Sequence, residues 1–322
     1  MGLRGIRTGA MLGAILALAV ISAMISGGHA SAQVYGFATL PPGSLNHTSA
    51  SAISKVVKEK GGINMLVQPT AGESVLVPMV ARGEVEIGIT NIMEAQAAID
   101  AGQKDLRILT AVHALRTPFF VRKDSTMRTI ADLKGKRVAL GYSAMRNIDI
   151  ATRAMLATAG LTEADVKPVL VPNVVRSADD FIAGNADMFY FAFGGPKVRE
   201  ADATVGGLRV LEMDEAGMPA ARKIMAYGYA SPVTPGPIFI GVEKPMKVYA
   251  FDNILITSSK VKDELIYKVL ETMEKNKDDL IAVQPVLREF TPAFGYANYA
   301  LPYHPGALKF FKDRNLTARP LD

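Results

Sequence analysis

The sequence predicts an α/β protein built of two similar lobes with a ligand cleft between them. Three observations carry this reading. First, a short pattern recurs about a hundred residues apart, as MVARGEVEIGITN (Met79 to Asn91) and FIAGNADMFYFAF (Phe181 to Phe193). In each copy an apolar helical run stops at a glycine, Gly83 or Gly184, suited to a left-handed cap, and a small or acidic turn leads into a short apolar strand. Such units build parallel sheets, whose ligands sit outside the strand carboxyl ends. Second, polar loops follow the predicted strands. Third, a late apolar strand, VYAFDNILIT (Val248 to Thr257), is placed to return the chain to the first lobe. The alternative is one larger α/β domain in which the second copy is a coincidental echo.

The elements follow in order. Arg4 and Arg7, the 16-residue apolar run Ala10 to Ile25 and the small residues Ala30-Ser31-Ala32 make residues 1–32 a signal peptide, cleaved after Ala32. The run is short for a membrane span, which needs about 20 residues. Val34 to Thr39 is a first strand, Leu40 to Thr48 a polar loop, and Ser49 to Lys60 a helix. Ile63 to Gln68 is a second strand, and Thr70 to Ser74 a loop that caps a helix running to Ala81. Strands follow at Glu86 to Thr90, ending in Asn91, at Leu106 to His113, and at Phe119 to Val121. Ile130 to Leu133 is a helical turn before the strand Val138 to Leu140. Tyr142 to Asn147 is a loop entering a helix that ends at Gly160, with a strand at Val169 to Val171 beyond. The proline-rich stretch Tyr227 to Pro245 reads as loop or sheet edge. A helix over Lys262 to Lys275 precedes a tail rich in Pro, Tyr and Phe. Lobe 1 is 33–120 plus 252–322, lobe 2 is 121–251, and crossings near Phe120 and Phe251 make a hinge.

Composition narrows the function classes. Cysteine is absent, which removes disulfides, thiolate metal sites and a thiol nucleophile. Lys and Arg number 36 against 31 Asp and Glu, scattered without a basic block, so no nucleic-acid footprint is expected. Apart from His29 the histidines are His47, His113 and His304, with no metal-binding spacing. No G-x-S-x-G elbow or phosphate loop appears, so no catalytic residue, cofactor or metal is predicted. The candidate ligand residues lie in the loops after strands: Thr39, Gly43, Ser44, Asn46 and His47; Thr70, Gly72, Glu73 and Ser74; Asn91; and Tyr142, Ser143, Arg146 and Asn147. Helix N-termini there offer N–H groups to a carboxylate, although each residue taken singly can serve only as a cap. Phe193 ends an aromatic strand whose alternate residues can equally face the core.

Further motifs carry a resemblance. Thr70-Ala71-Gly72 with Gly83-Glu84-Val85-Glu86-Ile87-Gly88-Ile89, Asp132-Leu133-Lys134-Gly135-Lys136-Arg137-Val138, Ala159 to Val166, and Leu301-Pro302-Tyr303-His304-Pro305-Gly306-Ala307 occur in that order. In this the chain resembles the TAXI-type solute-binding proteins of tripartite ATP-independent periplasmic (TRAP) transporters. The resemblance implies a two-lobed periplasmic binding protein of type II-like venus-flytrap fold with a hinge and an inter-lobe cleft. It implies a periplasmic monomer that captures a small organic acid and delivers it to TRAP membrane permease subunits. An ABC importer's binding protein and a periplasmic sensing partner of a receptor or kinase are the rivals. Two binding loops depart from the family pattern. Leu40-Pro41-Pro42 and Ala144-Met145-Arg146-Asn147 replace small and hydroxyl residues, which suggests a carboxylate solute with an apolar or aromatic body. Arg146 stands where the pattern has a small residue and is expected to clamp the carboxylate, unless it points to solvent or pairs with Asp149.

Overall fold

A computed structural model describes residues 33–321, and the chain from Val34 onward forms one compact unit. The expected signal peptide, 1–32, lies outside the described residues.

The first half runs β1 (Tyr35–Thr39), α1 (Leu45–Gly61), β2 (Met65–Pro69), α2 (Glu73–Arg82), β3 (Ile87–Asn91), α3 (Ile92–Asp100) and β4 (Leu106–Arg116). Next come β5 (Phe119–Arg122), β6 (Arg137–Leu140), α4 (Arg146–Thr158), β7 (Lys167–Leu170), α5 (Val174–Ile182), β8 (Phe189–Tyr190), α6 (Pro196–Val205), β9 (Leu208–Val210) and α7 (Met218–Ile224). The chain ends with β10 (Tyr229–Val233), β11 (Met246–Ser258), α8 (Asp263–Lys275), α9 (Lys277–Val283), α10 (Pro292–Gly295) and α11 (Pro305–Lys312).

Two lobes result, as expected. In the larger, β1 pairs in parallel with β2 and β3, while β11 runs antiparallel to β3, β4 and β10. Ala250 of β11 pairs with both Arg116 of β4 and Tyr229 of β10, so β10 and β4 lie on opposite edges of β11. Val248 to Ser258 is buried throughout, because strands flank it on both edges and helices cover both faces. In the smaller lobe β5 lies between β8 and β9, and β6 pairs in parallel with β7. A bridge from Val138 to Met188 joins the two pieces. Phe120 stacks on Phe189 at 5.0 Å and meets Phe193 edge-on at 5.5 Å, which fills this lobe's core.

Several expectations are corrected. The loop after β1 ends at Ser44, not Thr48, because the Ser44 side chain accepts from His47 N at 3.1 Å and starts the helix at Leu45. Helices α3, α6 and α7 occupy stretches for which the sequence offered no element. Gly83 and Gly184 both take positive φ, 77° and 80°, but the strand after Gly184 is only two residues long. Phe120 and Phe251 lie in mid-strand and fully buried, so neither marks a crossing. The chain leaves the large sheet at Thr117-Pro118, re-enters it at Tyr229, and between β10 and β11 leans back on β9 through Val210 N to Gly241 O at 2.9 Å. A boundary between 251 and 252 would therefore cut a paired strand.

Candidate functional site

The loops at the carboxyl ends of β1, β2, β3 and β4 face those at the carboxyl ends of β6, β7 and β8 across a narrow cleft. From the large lobe come Ser44, Asn46, Glu73 and Thr117; from the small lobe come Met145, Ile148, Val174, Tyr190 and Phe191. The lobes touch. Ser74 N donates to Ala144 O at 3.2 Å, Lys197 N to Gly43 O at 3.1 Å, and Asn147 N to Glu94 Oε1 at 3.3 Å. Gly72 sits so close to the opposing loop that a Cβ would come within 2.1 Å of Ala144 O. The remaining cavity is about 30 Å³, which admits little more than a water.

What distinguishes this cleft is buried polar atoms with no partner among the described residues. Glu73 is 2% exposed, and its Oε2 accepts no hydrogen bond. The Tyr190 hydroxyl is likewise buried and unpartnered, as is Thr39 Oγ1 at the end of β1. Burial first, and then the nearby Glu94 carboxylate, hold the Glu73 carboxyl well above its ordinary range. Glu94 is raised by burial too, against hydrogen bonds from Asn147. Burial drives the Tyr190 phenol up, and the neighbouring Tyr249, Tyr142 and Glu73 add to it. Behind the cleft, Asn253 Nδ2 donates to Asn46 Oδ1 at 3.0 Å and lies 3.1 Å from His113 Nε2. His113 Nδ1 donates to Ala114 O at 3.1 Å, leaving Nε2 as the acceptor, and burial keeps the ring below its usual pKa.

The other face of the same strands carries a larger cavity, about 530 Å³. Alternation along β4 turns Leu115 and Thr117 to the cleft, and Ala114 and Arg116 to this second space. Its charged groups are partnered. Arg116 donates to Glu289 Oε1 at 2.6 Å and to Ser231 Oγ at 2.9 Å. Asp252, buried, accepts from Tyr229 at 2.9 Å, from Tyr299 and from Arg319.

The model of a family described as NMT1-like matches residues 37–314. The chain belongs to the NMT1-like family. Among solved structures, this NMT1-like protein is similar to the alkanesulfonate-binding protein SsuA from Xanthomonas axonopodis pv. citri. The two share 16% identity over 89% of this chain and 95% of that one, with a TM-score of 0.50. It is also similar to the binding-protein component of an ABC phosphonate transporter from Pseudomonas aeruginosa, at 11% identity over 80% of each chain and a TM-score of 0.53. These likenesses establish the two-lobed fold of periplasmic binding proteins.

Of the residues the sequence singled out, Ser44, Asn46 and Glu73 line the cleft. Thr39 is buried at the end of β1 and is not among the lining residues, Gly43 and Gly72 form lobe-to-lobe contacts, and Ser74 is exposed but bonded across through its N–H. Thr70 spends its hydroxyl on Thr39 O and Gly72 O, and Asn91 caps α3 by accepting from Met93 N and Glu94 N. His47 is half-buried in the first turn of α1, outside the lining. Tyr142 is buried against Tyr190 in the small-lobe core, and Phe193 packs on Phe120 and Phe239 away from the cleft. Ser143 and Arg146 are exposed. The Arg146 clamp is not what this geometry offers: Met145 and Ile148, three apart, face the cleft, and helical rotation turns Arg146 outward. Asp149 does not hold it either, being bonded to Gly141 N and Arg153. Thr117, Glu94 and Asn253 were missed. Thr117 and Glu94 lie just beyond predicted strands, which was the available signal, whereas Asn253 is inside the strand Val248 to Thr257 and gave none.

Proposed function

We propose that this NMT1-like protein is a monomeric solute-binding receptor, which closes its lobes on a small molecule and presents the closed form to a membrane carrier. The observation that carries the reading is the cleft at the strand carboxyl ends, where buried polar atoms of both lobes lack partners and the two lobes bond directly across the gap. A periplasmic location rests on the arginine-led apolar run and the Ala30-Ser31-Ala32 pattern. For the carrier, the motif resemblance supports a TRAP permease, whereas the phosphonate-transporter component among the fold neighbours favours an ABC importer, and we take the importer as the first choice. The hinge would lie at Thr117-Pro118 and 225–228, where the chain passes between lobes outside any strand.

Small-angle scattering tests the receptor reading. A bound solute lowers the radius of gyration; an unchanged radius at saturation rejects closure. Uptake into carrier-containing vesicles separates the carriers, since an importer needs ATP and a TRAP permease an ion gradient.

A further inference from the structure

We infer that the cleft selects a solute carrying a cationic nitrogen on a compact apolar body, with the Glu73 carboxylate as its counter-ion. The inference rests on the receptor reading and replaces the organic acid expected from the resemblance.

Glu73 is the first residue of α2, lines the cavity between the lobes, and keeps Oε2 buried without a partner. A buried carboxylate oxygen left so is costly and calls for a donor. Among the described residues, no Lys, Arg or His lines the cavity to supply one. A second carboxyl, Glu94 from α3, acts on Glu73 through space, so once the two ionise the site's field is negative and an anionic solute adds to the repulsion. The Tyr190 hydroxyl, from β8, is a further unpartnered group that lines the cavity with Glu73 and can donate or accept. The other elements around the carboxyl bring no charge: Ser44 and Asn46 from α1 and its cap, Thr117 beyond β4, Met145 and Ile148 at α4, and Val174 from α5. Tyr142 and Tyr249 stand behind Tyr190. Leu40, Leu45, Leu115, Met145, Ile148 and Phe191 complete an apolar wall, which suits a short alkyl or aryl body.

An ammonium or amidinium nitrogen on Glu73 makes a charge-assisted hydrogen bond in a dry site, where such bonds are strong. Affinity for a cation therefore falls as pH drops through the raised Glu73 pKa, because a proton then competes for the same oxygen.

Two nearly isosteric pairs of opposite charge test this: acetamidine against acetate, and benzamidine against benzoate, by calorimetry on the mature protein. We expect an amidine to bind with at least tenfold preference over its carboxylate, and Glu73→Gln to abolish that preference. Arg146→Ala serves as the control and leaves both affinities unchanged. Should Glu73→Gln misfold, the wild-type protein answers alone: amidine affinity must weaken as pH is lowered, and the carboxylates must not gain on the amidines as pH is raised. Equal or tighter carboxylate binding, or no amidine binding at all, overturns the inference. In either case compaction of the protein by any other solute leaves the receptor reading standing, so the two failures are distinguishable.

Discussion

The two cavities on either side of β4 differ in a way that volume does not capture. The outer one is more than ten times larger, about 530 Å³ against 30 Å³, yet Arg116, Glu289, Asp252 and Arg319 in it are satisfied by one another and by Tyr229, Tyr299 and Ser231. The inner one is nearly filled, yet it holds the orphaned oxygens of Glu73 and Tyr190. The large cavity is a joint that ties the carboxyl-terminal tail to β11; the small one is the candidate site. Unmet hydrogen-bonding capacity, not emptiness, separates them.

The comparison can be broken most forcefully at Asp252. Asp252→Ala removes the acceptor for Arg319 and two tyrosines, and should cost about 3 kcal/mol of folding stability in a denaturant titration while solute affinity stays as it was. A loss of affinity with stability intact would make the outer cavity a ligand site. The reverse split is expected at Gly72. A methyl there meets Ala144 O only when the lobes touch, so Gly72→Ala should leave the unfolding midpoint alone and weaken solute binding about tenfold to a hundredfold, from an overpacking penalty of about 1–3 kcal/mol on the closed form.

A gentler test uses pH. Burial raises both Glu73 and Glu94, so the contribution of their neutral forms to closure is complete at low pH and is lost as pH rises through the raised values. Scattering of unliganded protein should then show expansion as pH rises above the ordinary carboxylate range. A radius that shrinks as pH rises would place the titrating groups elsewhere. Smallest of all, Arg146→Ala should change affinity by less than about twofold, since a guanidinium in water adds little at a distance.

Much of the frame is legible in the residues alone. Val248 to Thr257 announces itself as a buried strand, and the loops after Thr39 and Thr70 could be placed at strand carboxyl ends, which is how Ser44, Asn46 and Glu73 came into view. Rotation about a helix axis was less legible. Arg146 attracts attention as a charge in a binding loop, but which of residues 145 to 148 looks inward depends on where α4 begins, and that is set by packing rather than by local propensity. Tyr142 and Phe193 show the same limit, since an aromatic side chain near a strand end serves core or cleft equally well until the opposing layer is known. Glu94 and Thr117 become cleft residues through contacts between segments distant in sequence.

The lobe-to-lobe contact at Gly72 and Ala144 brings one more consequence. Closing without cargo strands Glu73 Oε2 and the Tyr190 hydroxyl, each at about 1–3 kcal/mol, so an unloaded protein closes at least tens of times less often than it would with those atoms satisfied. A cargo that satisfies them lifts the restraint. Closure thereby becomes an occupancy signal, and a carrier that senses nothing but the outline of the closed receptor is spared most encounters with an empty one.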